Sequence, residues 1–267
     1  MHISKIRKTA LITGATSGIG AAYARGLAKQ GYDLIITGRR RNIIEASARQ
    51  IEKEYSVRVD VVIAELSDAA DLNMLIERIQ GSEPIDVLVN NAGFTTKGYY
   101  YQEKIIEQEK MVLVHIVAMM KLAHAVLPRM MERKSGIIIN VASIQAVTPM
   151  SLSTTYCSVK AFMKTFSICL HCETKDHGIK VQCVFPGFTR TDLGRCIGVD
   201  MNEIKDSIMQ HWMLPEEVVQ ISLVHLNKKN KVICIPGVGN KAVYIMSKMM
   251  PERLWYLINP YIVNSMP

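Results

Sequence analysis

Hydrophobic positions along the chain fall into two alternating kinds of run. Short apolar runs rich in β-branched residues predict strands, and longer runs with apolar residues three and four positions apart predict helices. Strands that are apolar throughout and separated by helices are typical of a parallel sheet covered on both faces. The predicted strands are Ala10–Thr13, Asp33–Thr37, Arg58–Ala64, Val87–Val89, Gly136–Val141, Lys180–Phe185 and Val232–Ile235. The main predicted helices are Ile19–Gln30, Asn42–Tyr55, Ala69–Gln80, Ile105–Arg133 and Thr154–Asp176.

This order of elements predicts an α/β fold, a single Rossmann-type doubly wound domain over residues 1–267 with a seven-stranded parallel sheet. Two segments depart from the alternation. Residues 189–215 are irregular, with helical character near Met201–Gln210, and a long stretch after a strand often forms a lid over substrate. Residues 237–267 form an apolar extension that can pack on the domain, on another subunit or on a lipid-like surface. We expect one of the first two.

Composition and charge narrow the function classes. Of the 267 residues, 49% are hydrophobic, which is enough for a large core, and the formal net charge is +8. The basic residues are scattered without interleaved aromatics, so we expect no nucleic-acid partner. Neither a signal peptide nor a run of about 18 apolar residues is apparent, so we expect a cytoplasmic protein without a transmembrane segment.

The six cysteines all lie in the second half of the chain. Cys169 and Cys172 form a C-x-x-C, for which a zinc or redox site is conceivable. No second ligand pair follows at a suitable spacing. We interpret both as buried thiols that act as small hydrophobes on a helix, and we expect no metal.

A glycine-rich turn joins the first strand to the first helix and runs T-G-A-T-S-G-I-G from Thr13 to Gly20. Glycine permits positive φ and lets backbone amides approach a diphosphate closely. The helix N-terminus adds unpaired N–H groups and the positive end of a dipole. Between a strand and a helix of an α/β chain, such a loop predicts a dinucleotide site. The expected contacts are Gly14, Thr16, Ser17, Gly18, Ile19 and Gly20.

The end of the second strand indicates which dinucleotide is bound. An acidic residue there holds a ribose 2′-hydroxyl, whereas an arginine accommodates a 2′-phosphate. No carboxylate stands in the segment Ile35–Arg40, and Arg39 offers a planar donor fork suited to phosphate. A solvated basic turn is the alternative interpretation. We expect NADP(H) rather than NAD(H).

Tyr156 and Lys160 form a Y-x-x-x-K pair on one face of a predicted helix. A free tyrosine titrates near pH ~10, and a cation one turn away should lower its pKa. The pair alone is weak evidence. Ser143 precedes Tyr156 by 13 residues and follows the fifth strand, at the edge where open α/β sheets bind ligands. Its hydroxyl can donate to a substrate carbonyl while Tyr156 delivers a proton.

Taken together with N-N-A-G at Asn90–Gly93 and P-G at Pro186–Gly187, these motifs resemble the short-chain dehydrogenase/reductase family from Thr13 to Thr191. The chain looks like the branch near the bacterial DltE-type reductases, and more distantly the 3-ketoacyl-CoA and 17β-hydroxysteroid reductases. The resemblance implies further cofactor contacts. They come from Glu65 (where the family usually has aspartate), Leu66, Asn91, Ala92, Gly93, Tyr156, Lys160, Pro186, Gly187, Thr189 and Thr191.

The resemblance also implies a reaction, the reduction of a carbonyl by NADPH. Ser143 and Tyr156 would polarise the oxygen, and Lys160 would lower the pKa of the tyrosine and hold the ribose. His115 stands where the family commonly has an asparagine whose water relays protons to the lysine, so the relay is either altered or broken. Apolar neighbours of the site favour a hydrophobic ketone or ketoacyl substrate. The expected substrate contacts are Phe94, Gln145 and Phe188, and Gln145 can equally face water.

Two further expectations follow from the resemblance. A catalytically impaired NADP(H)-binding sensor or scaffold is the alternative function, because His115 departs from the family's pattern. The family usually forms dimers or tetramers through its long helices, so we expect a homodimer or homotetramer that uses Ile105–Arg133 and Thr154–Asp176.

Overall fold

A seven-stranded sheet in the order β3-β2-β1-β4-β5-β6-β7 forms the centre of the computed structural model, which describes residues 7–81, 83–195, 212–228 and 231–264. All neighbouring strands run parallel. The predicted α/β fold with a seven-stranded parallel sheet is therefore confirmed. The strands are β1 (Thr9–Thr13), β2 (Asp33–Gly38), β3 (Val59–Ile63), β4 (Ile85–Asn90), β5 (Gly136–Val141), β6 (Ile179–Val184) and β7 (Ile233–Cys234).

Helices cover both faces of this sheet. A π-helical turn, Leu113–Ala118, joins two of them, so the predicted helix Ile105–Arg133 is continuous but wider in its middle. The predicted helical character near Met201–Gln210, with most of the predicted lid segment 189–215, lies outside the described residues. The helices are α1 (Gly18–Lys29), α2 (Arg41–Tyr55), α3 (Ala69–Gln80), α4 (Ile105–Val112), α5 (Met119–Arg133), α6 (Thr154–Thr174), α7 (Asp192–Arg195), α8 (Pro215–His225), α9 (Val238–Met249) and α10 (Glu252–Asn264).

Two apolar layers, one on each face of the sheet, make up most of the core. Successive strand residues point to opposite faces, so Ile12 enters one layer and Leu11 the other. The first layer receives Tyr23 and Leu27 from α1, and the second receives Leu122 from α5. This packing explains why the strands are apolar throughout rather than alternating.

A buried chain of polar side chains aligns the central strands with α6. The Asn90 amide donates to Asn140 Oδ1 at 2.9 Å, and the Asn140 amide donates to Ser167 Oγ at 2.9 Å. Buried polar groups are tolerated when they are paired in this way. These two hydrogen bonds fix the carboxyl ends of β4 and β5 relative to α6, the helix that carries Tyr156.

Helix Ile105–Arg133 is long and apolar enough to cross a membrane by length and composition, with a mean hydropathy of 1.8. The expectation of a protein without a transmembrane segment therefore stays a prediction. Packing on the sheet accounts for much of its apolar character, because Leu122, Val126 and Met130 of α5 are buried in the core.

The C-x-x-C cysteines are not buried, contrary to the interpretation made from sequence. Cys169 and Cys172 are both exposed on the outer surface of α6. Among the residues that the structure describes, no group of three or more His, Cys, Asp or Glu side chains could hold a metal ion.

Candidate active site

In the turn between β1 and α1, the backbone is packed so closely that side chains at its glycine positions would clash with neighbouring atoms. Gly14 and Gly18 adopt φ of +66° and +56°, in the left-handed region. A Cβ on Gly20 would lie 2.2 Å from the carbonyl oxygen of Gly14 and 2.4 Å from Asn91 Nδ2. The first turn of α1 is thereby held against β1, with its N–H groups at the carboxyl edge of the sheet.

Thr13 fastens the turn to the N-N-A-G segment. Its Oγ1 accepts hydrogen bonds from the backbone amides of Asn91 at 2.9 Å and Ala92 at 3.0 Å. The Asn91 side chain donates back to the carbonyl oxygens of Thr13 at 3.0 Å and Gly14 at 3.2 Å. The two segments therefore form one hydrogen-bonded unit, as their predicted shared role requires.

Two arginines frame the end of β2. Arg39 forms an ion pair with Glu65 at 2.9 Å, while Arg40 contacts Asp192 at 3.0 Å and donates to Ser17 Oγ at 2.7 Å. Burial raises the pKa of Glu65, but hydrogen bonds from Ser67 and Arg39 outweigh it, so the pKa is lowered and the carboxylate is charged. Arg40, which was not among the predicted cofactor contacts, links the glycine-rich turn to α7.

The segment after β6 runs from the predicted reaction centre to the glycine-rich turn. The carbonyl of Pro186 accepts a hydrogen bond from the Ile144 amide at 2.9 Å, and Thr189 Oγ1 donates to the Gly187 carbonyl at 3.0 Å. Thr191 packs on Gly18, where a Cβ would lie 2.9 Å from its Cγ2. This segment therefore lies along the whole predicted cofactor site.

The four predicted catalytic residues lie together. Tyr156 is buried in the first turn of α6, beside the Ser143 hydroxyl, which acts to lower the pKa of the phenol. Lys160 Nζ lies 5.4 Å from the centroid of the Tyr156 ring, and the His115 ring meets that ring edge-on with centroids 5.8 Å apart. Ser143 Oγ also accepts from the Gln145 amide at 3.1 Å, which orients the hydroxyl.

Burial dominates the electrostatics of this cluster. It raises the pKa of Tyr156 to about 12, although the neighbouring Ser143 hydroxyl opposes the shift. It lowers the pKa of Lys160 to about 7, and Lys160 Nζ donates to the carbonyl of Val141 at 2.8 Å. The lowered pKa that the sequence predicts for Tyr156 is therefore not found in this structure, because burial is the largest cause and raises it.

His115 lies in the π-helical turn, and such turns are frequent at functional sites. Its Nε2 is 2.9 Å from the carbonyl oxygen of Phe94, and its ring occupies the space above Gly93, where a Cβ would lie 2.1 Å from Cε1. Burial, and then the charge of Lys160, lower the pKa of His115, so the ring is neutral. Within the described part of the chain, Nδ1 is a buried atom with no hydrogen-bond partner.

The predicted substrate contacts line one side of this cluster. Phe94 is half-buried beside His115, with ring centroids 6.4 Å apart. Gln145 donates through Nε2 to Met150 Sδ at 3.1 Å, so it is engaged with the following loop rather than with water. Phe188 stacks on Trp212 with centroids 4.9 Å apart, and the backbone around it pairs with residues 212–213. Trp212 was not predicted as a site residue.

The described part of the C-terminal extension packs back on the domain, as expected. Trp255 Nε1 donates to the carbonyl oxygen of Pro149 at 2.8 Å, and Asn259 Nδ2 donates to the same oxygen at 2.6 Å. Asn259 Oδ1 also accepts from the Ser151 amide at 2.9 Å. These bonds hold the loop between Ser143 and α6 from a point about a hundred residues away in the chain, and no local motif predicted them.

Asn240 of α9 supports the P-G segment. It donates to the Pro236 carbonyl at 2.7 Å, and a Cβ on Gly187 would lie 2.1 Å from its Oδ1. Sequence reasoning missed this residue, because an asparagine in an amphipathic helix carries no signal of its own.

Comparisons with known proteins agree on one family. The family model described as short chain dehydrogenase matches residues 8–201. A very-long-chain 3-oxoacyl-CoA reductase of Anas platyrhynchos is 37% identical over 194 residues, which are 70% of this chain and 61% of that protein. Very-long-chain 3-oxoacyl-CoA reductase-B of Danio rerio is 31% identical over 92% of this chain and 85% of its own length.

A solved structure extends the similarity to the whole fold. A short-chain dehydrogenase from Sphingobium yanoikuyae, in complex with NADPH, is 31% identical with a TM-score of 0.81. The match covers 97% of this chain and 96% of that one.

Proposed function

The chain belongs to the short-chain dehydrogenase family, and on this basis we propose that it is an NADPH-dependent reductase of hydrophobic ketones or 3-ketoacyl thioesters. One observation carries the proposal. Tyr156 is buried and protonated at the carboxyl edge of the sheet, with Lys160 Nζ 5.4 Å from its ring centroid, His115 edge-on to its ring and the Ser143 hydroxyl beside it. These groups can bind a carbonyl oxygen and deliver a proton to it.

The residues at the glycine-rich turn fit a dinucleotide phosphate. Gly14 and Gly18 give the turn its left-handed backbone, Gly20 lets α1 pack against Gly14, and the N-terminus of α1 favours an anion there. Arg39 and Arg40 supply two guanidinium groups at the end of β2, where a 2′-phosphate would lie. The other residues proposed to hold the cofactor are Thr16, Ser17, Ile19, Glu65, Leu66, Asn91, Ala92, Gly93, Tyr156, Lys160, Pro186, Gly187, Thr189 and Thr191.

Tyr156 acts as the proton donor in the proposed reaction. When bound, NADPH supplies the hydride to the carbonyl carbon. The hydroxyls of Ser143 and Tyr156 donate hydrogen bonds to the carbonyl oxygen and stabilise the charge that develops on it. Because the pKa of Tyr156 is raised to about 12, its hydroxyl holds a proton at neutral pH and can transfer it to that oxygen.

Lys160 and His115 assist Tyr156 in different ways. The pKa of Lys160 is lowered to about 7, so the side chain can carry or release a proton near neutral pH and its cation stabilises the phenolate left by transfer. Neutral His115 is held in its orientation by the contact of Nε2 with the Phe94 carbonyl oxygen. Its ring meets the Tyr156 ring edge-on. This arrangement supports an altered relay rather than a broken one.

Apolar residues around the site support a hydrophobic substrate. Phe94 lies beside His115, Met150 contacts Gln145 next to Ser143, and Phe188 stacks on Trp212, so apolar side chains predominate among the described neighbours of the site. The names of the 3-oxoacyl-CoA reductase relatives agree with a long acyl group.

The test is reduction of a panel of hydrophobic ketones and 3-ketoacyl thioesters by the purified chain, followed as NADPH oxidation. Tyr156→Phe should lower kcat/KM about 10³-fold while the Kd for NADPH stays unchanged, because only the proton donor is lost. Tight NADPH binding without turnover on any substrate, and without rescue by His115→Asn, would favour the NADP(H)-binding sensor. Failure to bind either nucleotide would contradict the proposal.

A further inference from the structure

Helix α9 presents an apolar stripe to solvent on the face opposite its packing contacts. The stripe consists of Val238 and the residues four, seven and eleven positions after it, which fall on one face of the helix. They are Ala242, Ile245 and Met249. Val238 is 82% exposed and Met249 78% exposed. The inward face carries Asn240, Tyr244 and Ser247, and Tyr244 packs on Phe185 in the core.

Lysines lie along one edge of this stripe. Lys241 and Lys248 lie two helical turns apart on the same side of α9. They flank the stripe next to Val238 and Ile245. Burial, and then the charges of Lys228, Lys231 and Lys241, lower the pKa of His225 at the end of α8, so positive charge from both sides of β7 acts on this region. We define the basic apolar face as Val238, Ala242, Ile245, Met246 and Met249 with the flanking Lys241 and Lys248.

Lysines predominate between Glu217 of α8 and Glu252 of α10. From Val218 to Pro251 the sequence holds five lysines, at 228, 229, 231, 241 and 248, and no Asp or Glu. Exposed apolar side chains continue in α10 with Leu254, Tyr256 and Leu257. Apolar residues beside lysines on a short surface helix are typical of segments that lie in the interface of an anionic bilayer.

We propose that the basic apolar face binds the surface of a membrane that contains anionic lipids, with Ile245 and Met249 among the acyl chains and Lys241 and Lys248 at the headgroups. A second copy of the chain is disfavoured as the occupant. A two-fold contact through this face would bring like-charged lysines together without a carboxylate to pair with them.

Membrane binding would bring the substrate side of the molecule close to lipid. α10 follows α9 directly and holds the Pro149–Ser151 loop beside the proposed substrate site through Trp255 and Asn259. A hydrophobic substrate dissolved in the bilayer would then have a short path to Tyr156. The binding itself does not depend on turnover, so it is measured independently of the proposed function.

The experiment is cosedimentation of the full chain with vesicles of phosphatidylcholine alone and of phosphatidylcholine with about one third phosphatidylserine. We expect binding to the anionic vesicles that weakens as salt is raised. Ile245→Glu with Met249→Glu should lower the affinity at least tenfold, and Lys241→Gln with Lys248→Gln about fivefold for each lysine removed. The control is Ile43→Glu with Met74→Glu, which places the same charges at exposed apolar positions of α2 and α3.

Two readouts decide between the occupants. NADPH affinity, measured for each variant, should stay unchanged and report that the fold is intact. Molar mass in solution, measured by light scattering, should also stay unchanged. No binding of the original chain to anionic vesicles overturns the proposal, and so does a glutamate variant that changes from dimer to monomer with vesicle binding intact.

Discussion

The nucleotide side and the substrate side of this molecule are built in different ways. Around the glycine-rich turn, backbone meets backbone, and the contacts of Gly14, Gly20 and Asn91 leave no room for a single added Cβ. Around the substrate side, side chains from distant segments hold a loop, as Trp255 and Asn259 do for Pro149. The nucleotide side can therefore accept one ligand shape, whereas the shape of the substrate side can change with the residues that support its loop.

The difference separates two kinds of specificity. A diphosphate is bound by amides whose positions depend on the backbone, so few substitutions are tolerated there. The proposed substrate side includes Phe188, Trp212 and the Pro149–Ser151 loop, whose positions depend on side-chain packing and hydrogen bonds. Changes on the substrate side should alter which ketone is reduced and leave the cofactor unchanged.

The largest effect on nucleotide binding is expected at Gly20. Gly20→Ala places a Cβ against the Gly14 carbonyl and the Asn91 amide, and we expect the Kd for NADPH to rise roughly 100-fold, measured by fluorescence titration. Gly239→Ala is the control, because a Cβ there meets nothing within 4 Å. A folded Gly20→Ala protein with unchanged NADPH affinity would show that NADPH binding does not depend on the close backbone packing at Gly20.

A smaller effect on the same side is expected at Arg39. Arg39→Ala should weaken NADPH binding about tenfold and leave NADH binding unchanged, because one charge-assisted contact to the 2′-phosphate is lost. Arg41→Ala serves as the control, since Arg41 pairs with Glu45 on α2. An equal loss for both nucleotides would assign Arg39 to holding Glu65 instead.

The reaction centre, where the two sides meet, should respond to pH. Because the pKa of Lys160 lies at about 7, its cation is present below that pH and is lost above it, so kcat/KM for reduction should fall by up to about tenfold per pH unit as the pH rises past 7. Lys160→Arg keeps its charge, so its profile should be lower but flat through this range. A break at the same pH in Lys160→Arg would assign the ionisation to another group.

The smallest effect is expected on the substrate side. Trp255→Phe removes one donor to Pro149 while Asn259 keeps the other, so KM for the carbonyl substrate should rise about fivefold with the Kd for NADPH unchanged. Tyr256→Phe is the control, because its hydroxyl contacts only Glu252 on the surface. A parallel loss of NADPH affinity would mean that the two sides are coupled.

The difference between local backbone motifs and contacts of distant segments also decides which features the sequence predicts. The strands follow from hydrophobic runs, and the grouping of Ser143, Tyr156, Lys160 and His115 follows from motifs and the family resemblance. The structure brings these four side chains together. Glycine positions in the turn were predictable because their spacing reports a backbone shape.

Contacts between distant segments were not predictable. Asn240, Trp255 and Asn259 act through partners that only the folded chain brings near, and Arg40 differs from Arg39 only by the direction in which the chain leaves β2. The exposure of Cys169 and the raised pKa of Tyr156 depend on burial, which a helical pattern does not measure.

The contact between Gly93 and His115 restricts the order in which these two positions can change. A methyl group at 93 would overlap the imidazole ring, whereas a smaller residue at 115 leaves a vacant space that a methyl could fill. Replacement of His115 must therefore come first along any mutational path that alters both. A library that varies position 93 alone should yield misfolded or poorly folded protein, and one that varies both should recover alanine at 93 only together with a smaller side chain at 115.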